Sequence, residues 1–318
     1  MIPSFSDRLP LARQAVDRDY LARARPELFD ELDADAATRV VLLRGDRALV
    51  DGERLALRPA ADVPAGALRL YLGRTTVDAE GEPAGTPVVA AVLTDEQASA
   101  LEPDDAAWGA LRTLAEHLSD RDAGLFTEAL AMVNWHASHG FSPRNGEATV
   151  VEQGGWVRRS PADGSQVFPR TDPAIIVCVL DADDRLLLGS NAMWGTGRFS
   201  LLAGFVEPGE SLEAAVVREI FEESGMRVVD PQYLGSQPWP FPASLMLGFT
   251  ARVDDTVESV LTPDGQEILD LRWFTRAELH AAEASGEVKL PTNASIARAI
   301  IEEWYGGPLD VAPLDPAQ

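Results

Sequence analysis

Between Gly204 and Met226 the chain reads GFVEPGESLEAAVVREIFEESGM, and this stretch constrains the possible folds most sharply. The spacing predicts a helix from about Ser211 to Ser224, with Ser211 as its N-cap and Gly225 just past its end. Glu219 and Glu223 stand one turn apart, and Glu222 adjoins both on the helix surface. Like charges at this spacing destabilise a solvated helix by a few tenths (~0.2–0.5) of a kcal/mol per pair, and by more where the face is half-buried. Beside Leu212, Val216 and Ile220, such a cluster has two readings: a solvated acidic face, or a divalent cation site. Oxygen-only ligands favour Mg²⁺ or Mn²⁺ over zinc.

The surrounding chain is a succession of short elements. RVVLLRG, RALVDG, RLALRP, LRLYLGR and TPVVAAVL read as strands separated by Gly, Pro and Asp. Trp108, Leu111, Leu114, Ala115 and Leu118 recur at helical spacing, and a second helical run covers Leu125 to Trp135. PAIIVCVL and RLLLG form a hairpin around Asp183, with Cys178 as a small buried hydrophobe. SLMLGFTARV and EILDLRWF are further strands, and TRAELHAAEASG and ASIARAIIEEWYG are helices. No internal repeat of fixed period is visible. The fold class expected is α+β, in four segments: a β-rich domain over 1–125, a ribbon-like linker over 126–167, a C-terminal domain over 168–306 and a flexible tail over 307–318.

The spacing from Gly204 through Glu210 and Arg218-Glu219 to Glu222-Glu223 and Gly225 resembles the box of the Nudix hydrolases at every defined position. The resemblance implies a Nudix fold, a mixed sheet between helices, and hydrolysis of a nucleoside diphosphate linked to another moiety. It implies Glu219, Glu222 and Glu223 as metal ligands with the Ala203 carbonyl, and a distal carboxylate at Glu267, with Asp270 as a rival. Glu222 ligates or positions the attacking water, and which glutamate is the base varies within the family. Physically, Gly204 and Gly209 let the loop turn tightly, and Arg218 pairs a neighbouring carboxylate such as Glu210.

Downstream, SQPWPFPAS holds three prolines and two aromatics, which excludes helix and central strand and predicts a rigid loop. Together with FPRTDPAII it resembles a Nudix subfamily, the NADH pyrophosphatases, from about Phe126 to Trp304. The resemblance implies cleavage of NADH or NAD⁺ to AMP and nicotinamide mononucleotide, and in some members removal of NAD caps from RNA. It implies substrate stacking on Phe168 and Phe205, a pocket shaped by Gln237, Pro238, Trp239, Pro240, Phe241, Pro242, Ala243 and Ser244, a contact at Ala297, and a homodimer. ADP-ribose or another dinucleotide is an alternative substrate. A nucleotide sensor without catalysis is a second alternative, disfavoured because all the box glutamates are present.

The chain departs from zinc-bearing relatives, which carry two Cys-x-x-Cys pairs before the Nudix domain. Here those positions fall on Ser142, Asn145, Ser160 and Asp163, and Cys178 is the chain's one cysteine. No structural zinc is expected, His136 and His139 are read as structural, and a ribbon held by packing is expected. The formal charge of −24 argues against broad charge-driven binding to nucleic acid or to an anionic membrane. No apolar run reaches the roughly eighteen residues of a membrane span, and the first residues lack the apolar block of a signal peptide, so a cytoplasmic protein is expected.

Overall fold

The structure, a computed structural model, describes residues 5–79 and 81–310. The last eight residues of the expected flexible tail, 311–318, lie outside the described residues. The chain forms two compact units. One consists of Met1–Leu9, Asp172–Gln237 and Ser244–Gln318; the other of Pro10–Thr171 with Pro238–Ala243. The architecture is α+β.

In the C-terminal unit the sheet is built on the strand Asp172–Leu180, whose side chains are buried from Ala174 to Val179. A strand covered on both faces reads as an unbroken apolar run, as PAIIVCVL does. It runs parallel to Ser244–Val253 and antiparallel to Leu202–Phe205 and Leu186–Asn191, and the last of these pairs antiparallel with Ile268–Phe274. Val228–Trp239 closes the free end of the sheet beside Ser244–Val253. It carries Pro231 and Pro238, which fits an edge strand, laddered on one side only. Regular strand therefore enters the proline-rich segment as far as Trp239, and the turn occupies 240–243.

The helix Leu212–Ser224 forms where its caps place it. Ser211 Oγ accepts from Ala214 N, and Gly225 takes the left-handed conformation at φ 70°. Its apolar stripe of Ala215, Val216 and Ile220 packs on Ile175, Val177, Leu202, Val228 and Phe249. Arg276–Ser285, with a capping box between Thr275 and Glu278, and Ile296–Tyr305 complete the unit.

The N-terminal unit repeats this topology. Its strands stand in the order Leu68–Thr75, Pro87–Leu93, Arg39–Arg44, Arg47–Asp51, with Trp108–Ala110 on the far side of the last. Arg39–Arg44 runs parallel to Pro87–Leu93 and antiparallel to Arg47–Asp51, and the short strand Arg58–Pro59 lies antiparallel on it. These pairings match those of Asp172–Leu180 in the C-terminal unit one for one. Where the C-terminal copy has its capped helix, the N-terminal copy has only the single turn Ala60–Asp62. The duplication lies in strand order and direction, so a search for residue periodicity does not find it.

Two expected runs differ. Trp108–Ala110 is a strand and Leu111–Leu114 one short helical turn, although Trp108, Leu111, Ala115 and Leu118 are all buried. The strand wins because Arg47–Leu49 supplies ladder partners, and a Cβ at Gly109 would come within 2.4 Å of Leu114 Cδ1. The following helix begins at Asp120 rather than Leu125, because Ser119 caps it, and runs to Ser138.

The ribbon is a three-stranded meander of Val150–Glu152, Val157–Arg159 and Gln166–Val167. Asn145 Nδ2 donates to Ser160 Oγ at 3.0 Å, Ser142 and Ser160 are buried, and Asp163 Oδ1 accepts from Ser165 N and Oγ. His136 is locked as a neutral ring: Nε2 faces Gly155 O and Nδ1 faces the Arg158 guanidinium, both at 2.8 Å. Burial pushes its pKa down to about 4. Trp156 donates to Tyr71 O, with the Arg23 guanidinium 3.5 Å over its ring.

Glu128 is buried in the helix Asp120–Ser138, with Oε1 3.6 Å from Arg18. Burial pushes its pKa up to about 7, against the opposing pull of Arg18 and Arg23. The folded state therefore holds a proton there that the unfolded chain releases near pH 4.5, and stability from this group is lost as pH rises from about 4.5 to about 7. Glu128→Gln removes that loss. The thermal midpoint of the variant relative to wild type is expected to rise between pH 5 and pH 8, and a difference independent of pH would contradict the assignment.

Candidate active site

The site is assembled around the helix Leu212–Ser224 and the strand Leu202–Phe205. Gly204 lies in that strand, paired with Ile175, and its role is room rather than turning. A Cβ there would sit 2.1 Å from Glu219 Cδ and 2.3 Å from each carboxylate oxygen. The absent side chain is what lets the Glu219 carboxyl rest on the strand. Gly209, at φ 90°, does serve the turn.

Arg218 is the hub. Its Nε and Nη2 form a two-pronged pair with Glu210, both at 2.8 Å; Nη1 reaches Glu219 and Glu222 at 2.9 Å; Nη2 also donates to Phe205 O. The guanidinium pair, aided by Glu207 N–H, holds the Glu210 carboxyl down at about 2. Arg218 itself is raised, chiefly by Glu210. The loop before the helix is thereby tied to the helix face.

Behind this pair the electrostatics reverse. Glu223 is buried, and its pKa is pushed up to about 8, first by burial and then by Glu267, Glu219 and Asp264, against one hydrogen bond from the Ala203 backbone. Its Oε2 is buried with no hydrogen-bond partner. Burial also raises Glu219, with Glu222 and Glu267 adding and Arg218 opposing. Glu267 sits just before the strand Ile268–Phe274 and accepts from Asn191 Nδ2 at 3.1 Å. Asp270 is instead paired with Arg272 at 2.8 Å.

Among the described residues, no group of three or more His, Cys, Asp or Glu side chains converges as a ready-made ligand set. In this arrangement the Arg218 guanidinium holds oxygens of Glu219 and Glu222. The residues nonetheless fit a hard divalent cation. An orphaned buried carboxylate oxygen, raised carboxyl pKa values and an all-oxygen donor set describe a place short of positive charge.

The remaining sequence candidates divide by burial. Phe168 and Phe205 are each 58% exposed, so neither is a core residue. Gln237 is fully buried and committed at both ends, donating to Ala294 O and accepting from Ile296 N. Ala297, buried in the first turn of the helix Ile296–Tyr305, has its N–H on the Ser295 hydroxyl. Ser244 opens a strand opposite Asp172. Pro238, Trp239, Pro240, Phe241, Pro242 and Ala243 belong to the N-terminal unit. There Asn134 Nδ2 donates to both Pro240 O and Pro242 O, and the Arg112 guanidinium lies over the rings of Phe241 and Trp239 at 3.8 and 5.0 Å. The Phe241–Pro242 peptide is cis. Asn134, Arg112 and Asn191 were not legible as site residues, because their partners are far away in sequence and no local pattern marks them.

A family model described as "NUDIX domain" matches residues 170–293, and one described as "NADH pyrophosphatase-like rudimentary NUDIX domain" matches residues 37–135. The second accounts for the repeated strand order. The chain is 40% identical over 288 residues to an NAD-capped RNA hydrolase NudC of Mycobacterium bovis (strain BCG / Pasteur 1173P2), covering 86% of this chain and 85% of that one. It is 37% identical over 199 residues to the human NAD-capped RNA hydrolase NUDT12, covering 59% of this chain and 42% of that one. Among solved structures it is similar to a NUDIX hydrolase from Nitrosomonas europaea, with 19% identity and a TM-score of 0.40 over 53% of this chain and 94% of that one.

Gly204→Ala should displace the Glu219 carboxyl while disturbing little else. Pyrophosphatase turnover is expected to fall at least a hundredfold with a near wild-type thermal midpoint, and retained turnover would show that Glu219 need not rest on the strand.

Proposed function

The chain belongs to the Nudix hydrolases, in the group of the NAD-capped RNA hydrolases and NADH pyrophosphatases, and on that premise we propose that it hydrolyses the pyrophosphate of NAD(H), free or as the cap of an RNA 5′ end, to AMP or a 5′-monophosphate and nicotinamide mononucleotide. The single observation that carries the reading is the buried Glu223 carboxyl, whose Oε2 has no hydrogen-bond partner and whose pKa is pushed up by burial and by Glu267, Glu219 and Asp264.

Glu219, Glu222, Glu223 and Glu267, with the Ala203 carbonyl, are the residues that would hold Mg²⁺ or Mn²⁺. Bound there, the cation neutralises pyrophosphate oxygens and lowers the pKa of bound water. The chain's own groups do the rest. Arg218 fixes the box loop through Glu210 and leaves Glu222, 56% exposed, on the solvent side to accept a proton from or orient the attacking water. Ala203 N–H orients Glu223, and Asn191 orients Glu267. Phe168 and Phe205 offer exposed faces to a planar base or nicotinamide. Gln237 and Ala297 act through backbone placement, since their side chains are buried.

Substrate choice is assigned to the proline-rich segment, held in shape by Asn134 and Arg112. A segment already ordered by hydrogen bonds and prolines loses less conformational entropy on binding. The proposed domain division is a Nudix domain over 168–306 preceded by the rudimentary copy and the ribbon, working as a homodimer. No helix among the described residues is long and apolar enough to cross a membrane, and a cytoplasmic location is part of the proposal.

A hydrolysis panel tests the reading directly. With Mg²⁺ or Mn²⁺, NADH and NAD-capped RNA are expected to turn over in preference to ADP-ribose, and equal rates on all three would sink it. Glu223→Gln keeps the shape and an acceptor for Ala203 N–H, so the fold should persist while turnover falls by about two orders of magnitude or more. Trp239→Ala should lower kcat/KM for NADH several-fold more than for ADP-ribose; an equal loss would make the segment merely structural.

A further inference from the structure

The turn between Leu186–Asn191 and Leu202–Phe205 displays side chains that neither the core nor the carboxylate site uses. Met193 is 90% exposed, and Trp194 is one third exposed with the Arg198 guanidinium 5.5 Å over its ring. Beside Arg198 stands Lys289, the chain's one lysine, bridged to it backbone to backbone. Neither cation has an ion-pair partner among the described residues, in a chain of net charge −24 where most arginines are paired.

The backbone presenting these groups is fastened at both ends. Ala192 N–H donates to Glu267 O at 2.7 Å, and the Asn191 amide accepts from Met193 N and donates to the Glu267 carboxylate. At the far end Lys289 N–H donates to Gly197 O, and Phe199 N–H to Lys289 O. Gly197 takes φ 78° and passes so close to Glu287 that a Cβ would lie 2.8 Å from its carbonyl oxygen. The turn is a fixed platform with an aromatic and a thioether on top and two cations at its side. It is rooted on Glu267, one carboxylate of the proposed catalytic set.

Resting on the function proposed above, we infer that this platform is a subsite for the single-stranded RNA that follows the cap. A base stacks on Trp194 against Met193, and its phosphodiester lies against Arg198 and Lys289. Stacking is sequence-tolerant, because every base offers a π-face, and the phosphate contacts are salt-dependent. Two local cations in an acidic chain admit a strand end-on at this point while the rest of the surface repels it.

The test compares wild type with Trp194→Ala and with the double variant Arg198→Gln/Lys289→Gln, each as the full chain with saturating Mg²⁺. Expected is a roughly tenfold loss in kcat/KM on an NAD-capped ten-nucleotide RNA, with NADH hydrolysis unchanged within twofold, and a shallower salt dependence in the double variant. Equal losses on both substrates would place these residues in the dinucleotide pocket and overturn the inference, as would unchanged activity on both. Anisotropy of a fluorescent single-stranded ten-mer RNA gives a readout independent of cleavage. Weaker binding by both variants supports the subsite, and failure of wild type to bind it overturns the subsite even if NADH is cleaved. Wild type that binds the RNA but cleaves neither substrate would refute the proposed function instead.

Discussion

Arg218 is the one cation that the box helix sets against its own carboxylates, and the arrangement of the site depends on how far that single charge reaches. It pairs Glu210 with both prongs and touches Glu219 and Glu222 with the third nitrogen. Glu223 lies beyond it, buried, with one oxygen unpartnered. The protein therefore stores an uncompensated demand for positive charge at one point. Such a group destabilises the fold by an amount on the order of 1–3 kcal/mol when left unpaired. Its retention makes sense where a cation arrives to meet it.

Much of this was readable in advance, and for local reasons. The caps Ser211 and Gly225, the helix face of Glu219, Glu222 and Glu223 and the Arg218–Glu210 pair are relations within one turn or one tight loop, where spacing determines neighbourhood. The apolar run around Cys178 was legible as a strand because burial on both faces leaves no alternation to misread. What escaped depends on distance. The sequence suggests a turn at Gly204, but its conformation is extended and its glycine is required by a side chain fifteen residues on. Trp108 to Leu118 has the spacing of a helix, and only the ladder partners at Arg47–Leu49 make its first residues a strand. Asn134 reaches the carbonyls of Pro240 and Pro242 across more than a hundred residues, a relation no pattern in either segment announces.

The two units show how a fold and its chemistry part company. Both carry the same strand order and the same parallel pair, but only one carries the capped helix with its glutamates. The N-terminal copy keeps the apolar strands that make a core, including Val40, Leu42, Tyr71 and Val89, and has a three-residue turn where its counterpart has a helix bearing Glu219, Glu222 and Glu223. Asn134 and Arg112, both from this unit, hold the proline-rich segment through its carbonyls and rings.

The membership of the two units carries a consequence for synthesis. Phe5 packs against Gly235, and Arg8 pairs with Glu303, so the first described residues belong to the unit built mainly from the C-terminal half of the sequence. Conversely, Pro238–Ala243 is handed back to the unit that left the ribosome first. Neither half can be finished from its own continuous stretch of polypeptide. The rudimentary copy includes the proline-rich segment from far along the chain, and Arg8 pairs with the helix Ile296–Tyr305. A protease cut at the junction near residue 171 would therefore sever one covalent link while leaving each fragment still holding a piece of the other's fold.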